Sequence, residues 1–125
     1  PVNALTAADD VIVPLQCETL AHRGVGQLIE TVRDVARVTN PRLRISGVLP
    51  TLYDGRTAHA RAVLADIAER YDVPVLDPPI ARSVRFAEAP AMGRSVLATM
   101  PHLRGSEAYR EHARRLLDER RAGQV

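Results

Sequence analysis

The chain has 125 residues, 46% of them apolar and 26% charged, with a formal net charge of +2. That is enough for one folded unit, too apolar for disorder, and too weakly charged for composition alone to mark a nucleic-acid binder. All seventeen basic residues are arginine, which excludes any lysine acting as a phosphate clamp, a Schiff base or a general base.

Cys17 is the single cysteine, so there is no intrachain disulfide framework and no cysteine-based zinc site, and a reduced, cytoplasmic setting is expected. No stretch approaches the roughly 20 apolar residues needed to span a bilayer. The opening residues Pro1-Val2-Asn3-Ala4-Leu5 carry no signal-peptide pattern and begin in mid-pattern, as if cut from something longer.

Residues 2 to 8 read as the end of a helix closed by Asp9-Asp10. Val11 to Leu15 is a continuous apolar run, the pattern of a strand buried on both faces, with Pro14 expected to mark its end. From Leu20 to Val38 the period becomes helical, with Val25, Leu28, Ile29, Val32, Val35 and Ala36 on one stripe, stopped at Asn40-Pro41. A second strand is expected over 43–49, with Pro50-Thr51 at its end. A second full helix spans 57 to 71, with Thr57 as its N-cap and Val63, Leu64, Ile67, Ala68 and Tyr71 as its apolar stripe. Val73 to Leu76 predicts a third, short strand. Beyond Asp77-Pro78-Pro79 the chain turns irregular, with a short helix expected near 84–89. Gly105-Ser106 opens a last helix reaching about Arg121, whose apolar stripe is Tyr109, Ala113, Leu116 and Leu117.

This alternation predicts an α/β fold with a parallel sheet flanked by helices and right-handed crossovers. Three strands are few for an independent sheet, so an upstream half is expected to supply more. Ligands of such sheets bind beyond the carboxyl ends of the strands, which directs attention to residues 16–18, 51–56 and 77–85.

Generic catalytic patterns are missing. There is no G-x-x-x-x-G-K-[ST] loop, and Gly24 and Gly26 alone are explained equally well by helix packing. His22, His59, His102 and His112 have no metal-ligand spacing and read as surface or helix-face residues. Cys17 reads as a small buried hydrophobe. The turn Leu49-Pro-Thr-Leu-Tyr-Asp-Gly-Arg-Thr57 places acceptors and a guanidinium just before a helix N-terminus. Arg82 and Arg85 stand three apart and would share a face if their segment is helical. Each segment has an ordinary alternative, a capped β–α turn and a solvated charge pair respectively.

Five segments in fixed order carry a family resemblance: V-N-A-L-T-A-A-D, V-I-V-P-L-Q-C-E, G-V-G-Q-L-I-E-T-V, G-V-L-P-T-L-Y-D-G-R-T and I-A-R-S-V-R-F-A-E-A-P, followed by G-S-E-A-Y and R-R-L-L. Together they span nearly the whole chain, which resembles the C-terminal half of ParA/Soj-type partition ATPases of the deviant-Walker-A P-loop class. The resemblance implies that residues 1–125 are the C-terminal part of one P-loop NTPase domain, with the Walker A and Walker B segments upstream. It implies ATP and magnesium as cofactors of the intact parent, a homodimer, nonspecific duplex DNA binding and a ParB-type partner, with the parent cytoplasmic and nucleoid-associated. Thr51, Asp54, Pro79, Ile80, Arg82 and Val84 would lie beside the adenine and ribose, and Arg56 and Arg85 would face DNA. The loop at Gln16 to Glu18 would lie near the nucleotide and the dimer interface.

The residues fit that division, because guanidinium groups bind phosphate oxygens without reading sequence, and so few aromatics offer little base stacking. The chain departs from the family where Ile80-Ala81-Arg82 stands for the usual I-P-R. Lacking the phosphate-binding loop, the isolated chain is expected neither to bind ATP tightly nor to hydrolyse it. A non-enzymatic remnant that binds DNA or a partner is the alternative. A MinD-like membrane-targeting tail would need an aromatic amphipathic C-terminus, and an iron-protein-like cluster more cysteines.

Overall fold

The computed structural model describes residues 1–17 and 22–123. In order, the elements are α1 (Val2–Ala7), β1 (Asp10–Gln16), α2 (His22–Val38), β2 (Arg44–Thr51), α3 (Ala58–Tyr71), α4 (Arg85–Ala91), α5 (Val96–Thr99) and α6 (Arg104–Gly123). The parallel α/β reading holds, since β1 and β2 pair in parallel from Asp10↔Arg44 to Gln16↔Thr51. Pro14 does not end β1. The Cys17 amide donates to the Thr51 carbonyl at 3.1 Å, so alternate residues turn toward β2 and Pro14 turns away, where its missing N–H removes no bond to β2.

The expected third strand is reduced to two short pieces. Val75 bridges Val48 and Ala81 bridges Tyr53, both parallel to β2. The Leu76 amide donates to Val48 at 2.8 Å, and the next amide to reach β2 is that of Ile80, on the Pro50 carbonyl at 2.8 Å. A regular ladder would use the amide of residue 78 there, and Pro78 has none, so residues 77–79 are pushed out of line. Just past the end of β2, Leu52 is left-handed with φ 50°.

Helices cover both faces of this small sheet. Val13, Leu15 and Val48 pack with Val25 and Ile29 of α2, Val63 and Ile67 of α3, and Val73. On the other face Leu49 and Ile80 meet Ala108 of α6, with Ile12, Leu76 and Phe86 around them. A Cβ on Gly47 would stand 2.8 Å from the Pro74 carbonyl oxygen and 2.8 Å from the Leu76 side chain. Glycine there lets the 74–76 segment close on β2.

The helix termini follow local chemistry. Thr57 caps α3 by accepting from the Ala60 amide at 3.3 Å, and Asp72 closes it in a left-handed conformation. Arg33 of α2 donates to the Tyr71 carbonyl at 2.6 Å, satisfying one orphan acceptor at the end of α3. The short helix expected near 84–89 forms as α4, and α5 adds a turn that no apolar periodicity announces.

The stripe on α6 differs from expectation. Its buried residues are Gly105, Ser106, Ala108 and His112, while Tyr109 and Leu117 are 37% and 48% exposed. Small residues let the helix lie close to the sheet, and His112 is accommodated because it is hydrogen-bonded. Among the described residues no helix is long and apolar enough to cross a membrane.

Candidate functional site

Beyond the carboxyl end of β2 the chain opens into a cavity of about 780 Å³. Tyr53 to Arg56 line one side, and Pro78, Pro79, Ala81 and Arg82 another. The first turns of α6 close it with Arg104, Glu107, Ala108 and Glu111. A second cavity of about 400 Å³ lies toward the end of β1 and the start of α3, among Cys17, Leu52, Thr57 and His59. Asp54 and Arg82 line both cavities.

The floor is backbone. Tyr53 donates to the Ile80 carbonyl at 3.0 Å, and Arg82 donates back to the Tyr53 carbonyl at 3.0 Å. Residues 80–82 are thus laced to the end of β2, which holds Pro79 and Arg82 against Asp54.

Asp54 organises the turn. It accepts from Arg56 three times, from Nε and Nη2 at 3.0 Å each and from the backbone amide at 3.1 Å. The Asp54 carboxyl is held below the usual carboxylate range first by the Arg56 side-chain hydrogen bonds, then by the Arg56 amide, with the Arg82 charge adding to them. Arg56 is pushed up by the same pair. Its side chain is 92% exposed, so the pair is screened by solvent and contributes little to stability. Arg85 opens α4 and pairs with Glu88 at 3.1 Å. Cys17 is buried, and burial pushes its thiol up.

Of the residues singled out from sequence, Asp54, Pro79, Arg82 and Arg56 meet on the large cavity. Thr51 turns toward β1, its hydroxyl donating to the Leu15 carbonyl at 3.3 Å. Ile80 contributes its backbone to the floor, while its side chain lies in the core. Val84 is the exposed N-cap of α4, and Arg85 lies outside the cavity lining. Gln16 ends β1 opposite Thr51, and Glu18 lies outside the described residues. His112 is neither on the surface nor free: it is 6% exposed and hydrogen-bonded to the Pro78 carbonyl. Sequence reasoning missed the α6 wall. Its signal was the i, i+3, i+4, i+7 spacing of Arg104, Glu107, Ala108 and Glu111, which puts them on one helical face.

Among the described residues no group of three or more His, Cys, Asp or Glu could hold a metal ion. The cavity walls carry the carboxylates of Asp54, Glu107 and Glu111, the guanidinium groups of Arg56, Arg82 and Arg104, and the Tyr53 ring, a set that offers both hydrogen-bond donors and acceptors to a polar ligand.

Comparison with known proteins follows the same lines. A family model described as an AAA domain matches residues 1–45. The chromosome partitioning protein ParA of Caulobacter vibrioides is 43% identical over 124 residues, 99% of this chain and 46% of its own length. The chromosome-partitioning ATPase Soj of Thermus thermophilus is 41% identical over 93% of this chain and 47% of its own length. Among solved structures, cobyrinic acid a,c-diamide synthase from Mycobacterium smegmatis with bound ATP analog and magnesium superposes with a TM-score of 0.76. It is 52% identical over 97% of this chain and 42% of its own length. The fold is therefore the parallel α/β arrangement of P-loop NTPases. The chain belongs to the ParA/Soj-type partition ATPase family, and it spans less than half the length of the curated relatives it matches.

Proposed function

We propose that this chain is the C-terminal part of a ParA/Soj-type ATPase domain that partitions chromosomes or plasmids in the cytoplasm. In this reading it forms the base-side wall of the nucleotide site and part of a DNA-facing surface. The observation that carries it is the cavity beyond the strand ends, where Asp54, Pro79 and Arg82 converge, the place where parallel α/β sheets bind ligands. Asp54 offers carboxylate oxygens to ribose hydroxyls, and the 79–82 strip, anchored by the Ile80 side chain in the core, offers an edge to the base, while Thr51 and Val84 flank the cavity outside its lining. ATP and magnesium belong to the intact parent. This chain has no lysine and no Gly-rich loop, so a triphosphate and its metal would be held by upstream residues, and the isolated chain would not turn over ATP.

Arg56 and Arg85 carry the second half of the proposal. Both guanidinium groups are solvent-accessible, so each can offer N–H donors to phosphate oxygens. Such contacts bind duplex DNA without sequence preference. ATP-dependent dimerisation and a ParB-type partner complete the expected system.

The test uses the full-length protein. Arg56→Ala and Arg85→Ala should weaken binding to unrelated duplexes alike and flatten the salt dependence by about one unit each, with Arg82 a third contact and ATP binding retained through the upstream half. Arg70→Ala is the control, since Arg70 sits on the outer face of α3 in a pair with Asp66. Loss of nucleotide binding with untouched DNA affinity would move these arginines to the nucleotide site or the dimer interface.

A second reading rests on the 52% identity to the synthase, and would make the chain part of an ATP-dependent amide-forming enzyme. It predicts no DNA affinity in the full-length protein, so the same titration separates the two.

A further inference from the structure

We propose that His112 and Arg115 of α6 are positioning residues of the candidate site, which set where the 79–82 strip stands against β2. The inference rests on the nucleotide reading for its functional meaning, and on geometry for everything else.

Residues 77–79 are the place where the third line of the sheet leaves the ladder. Their departure frees consecutive backbone carbonyls that still need donors once the segment packs. Two of those donors come from one face of α6. His112 Nε2 lies 2.6 Å from the Pro78 carbonyl oxygen, and the Arg115 guanidinium donates to the Asp77 carbonyl. Residues three apart on a helix are neighbours, so the two side chains form a single clamp on adjacent peptides. A carbonyl can only accept, so Nε2 must carry the proton. This bond survives in both the Nε2–H neutral ring and the imidazolium.

Near its far end α6 faces the start of the sheet through two exposed ion pairs, Glu119 with Arg44 and Arg120 with Asp9, both at 3.7 Å. At its near end the same helix supplies Arg104, Glu107, Ala108 and Glu111 to the cavity. One helix therefore both walls the cavity and fixes the strip on its other side. Packing of Ile80 against Ala108 and Leu49 supplies contact without direction, whereas the two hydrogen bonds hold the turn at residues 77 and 78 from which the strip enters its backbone pairing with β2. A shift of α6 would move cavity wall and floor together.

The test compares His112→Leu with His112→Gln in this chain, read by amide hydrogen exchange. In the Leu variant the Ile80 and Arg82 amides should exchange about tenfold faster or more, with Val48 and Ile29 amides unchanged. The Gln variant, whose amide nitrogen reaches the same carbonyl, should restore protection. Should His112→Leu fail to fold, Arg115→Met removes the other donor from a less buried position and should give the same local acceleration. The wild-type imidazole should show the Nε2–H form in nitrogen-15 spectra. Equal acceleration across the core, no change at Ile80 and Arg82, or an Nδ1–H ring would overturn the clamp. In the full-length protein His112→Leu should lower ATP affinity and Gln should rescue it. Local acceleration with unchanged ATP affinity would leave the clamp standing and overturn the nucleotide reading of the cavity.

Discussion

Between Val11 and Val73 the chain is held by side chains that exclude water. Val13, Leu15, Ile29, Val48 and Ile67 are each at most 1% exposed and form one cluster. Between Asp77 and Leu103 the described segment buries one large apolar side chain, Ile80, and is held mainly by backbone hydrogen bonds and by donors from α6. Arg110 extends the pattern, donating to the Leu97 and Pro101 carbonyls at 2.9 and 2.7 Å. Hydrophobic burial fixes the first region without regard to direction, while the second depends on directional bonds to particular carbonyls. The candidate site lies where the two meet.

Substitutions should separate the regions. The largest effect is expected from Ile67→Ala, which empties a fully buried position and should cost about 2–5 kcal/mol in urea unfolding. Loss should be global, with the amides of β1 and β2 losing protection together. Gly105→Ala probes the other region. Its Cβ would stand 2.3 Å from the Phe86 ring, which itself packs edge-on to Tyr109 at 6.0 Å. Overpacking of that kind costs about 1–3 kcal/mol, and here it should loosen α4 while β1 and β2 stay protected. Uniform loss of protection would erase the distinction between the regions.

Ser106→Ala should act in the opposite direction. Ser106 is fully buried and its hydroxyl has no hydrogen-bond partner among the described residues, so alanine removes an unpaired polar group and improves helix propensity. A rise of a few degrees in Tm is expected, corresponding to about 0.5–1 kcal/mol. A fall would mean that the hydroxyl has a partner in solution.

The smallest effect on folding belongs to Arg56→Ala, which should lower the thermal midpoint only slightly at pH 7, because the pair it removes is solvent-screened. Its signature is electrostatic. Asp54 has a depressed pKa in the folded chain, so its contribution to stability is present above its unfolded pKa and lost as pH falls through the folded value. Removing Arg56 should raise the Asp54 pKa toward the ordinary carboxylate value, as read by carbon-13 shifts of the carboxyl group. No movement would show that Arg56 does not hold Asp54 in solution.

The contrast between regions also explains what the sequence made legible. Apolar periodicity located β1, α2, β2 and α3 to within about two residues, because in those segments burial and period coincide. It overestimated the strand at Val73–Leu76, since Pro78 removes the amide that would have extended the ladder, a fact about hydrogen bonding rather than hydrophobicity. On α6 it chose Tyr109, Ala113, Leu116 and Leu117, whereas the close approach to the sheet selects Gly105, Ser106, Ala108 and His112. The T-L-Y-D-G-R-T and P-P-I-A-R segments pointed to the cavity because turn chemistry and strand ends are local. The contribution of α6 was hidden, since nothing in a one-dimensional pattern indicates which carbonyl a histidine 34 residues away will meet.

Titration of the nitrogen-15-labelled chain with adenosine and with Mg-ATP tests the central claim most directly. The account predicts weak binding of both, with similar affinity, and shifts concentrated at residues 51–54, at 79–82 and on the first turns of α6. It also predicts no turnover, because the triphosphate finds no phosphate-binding loop here. Tight Mg-ATP binding with hydrolysis, or shifts that bypass the cavity, would contradict it.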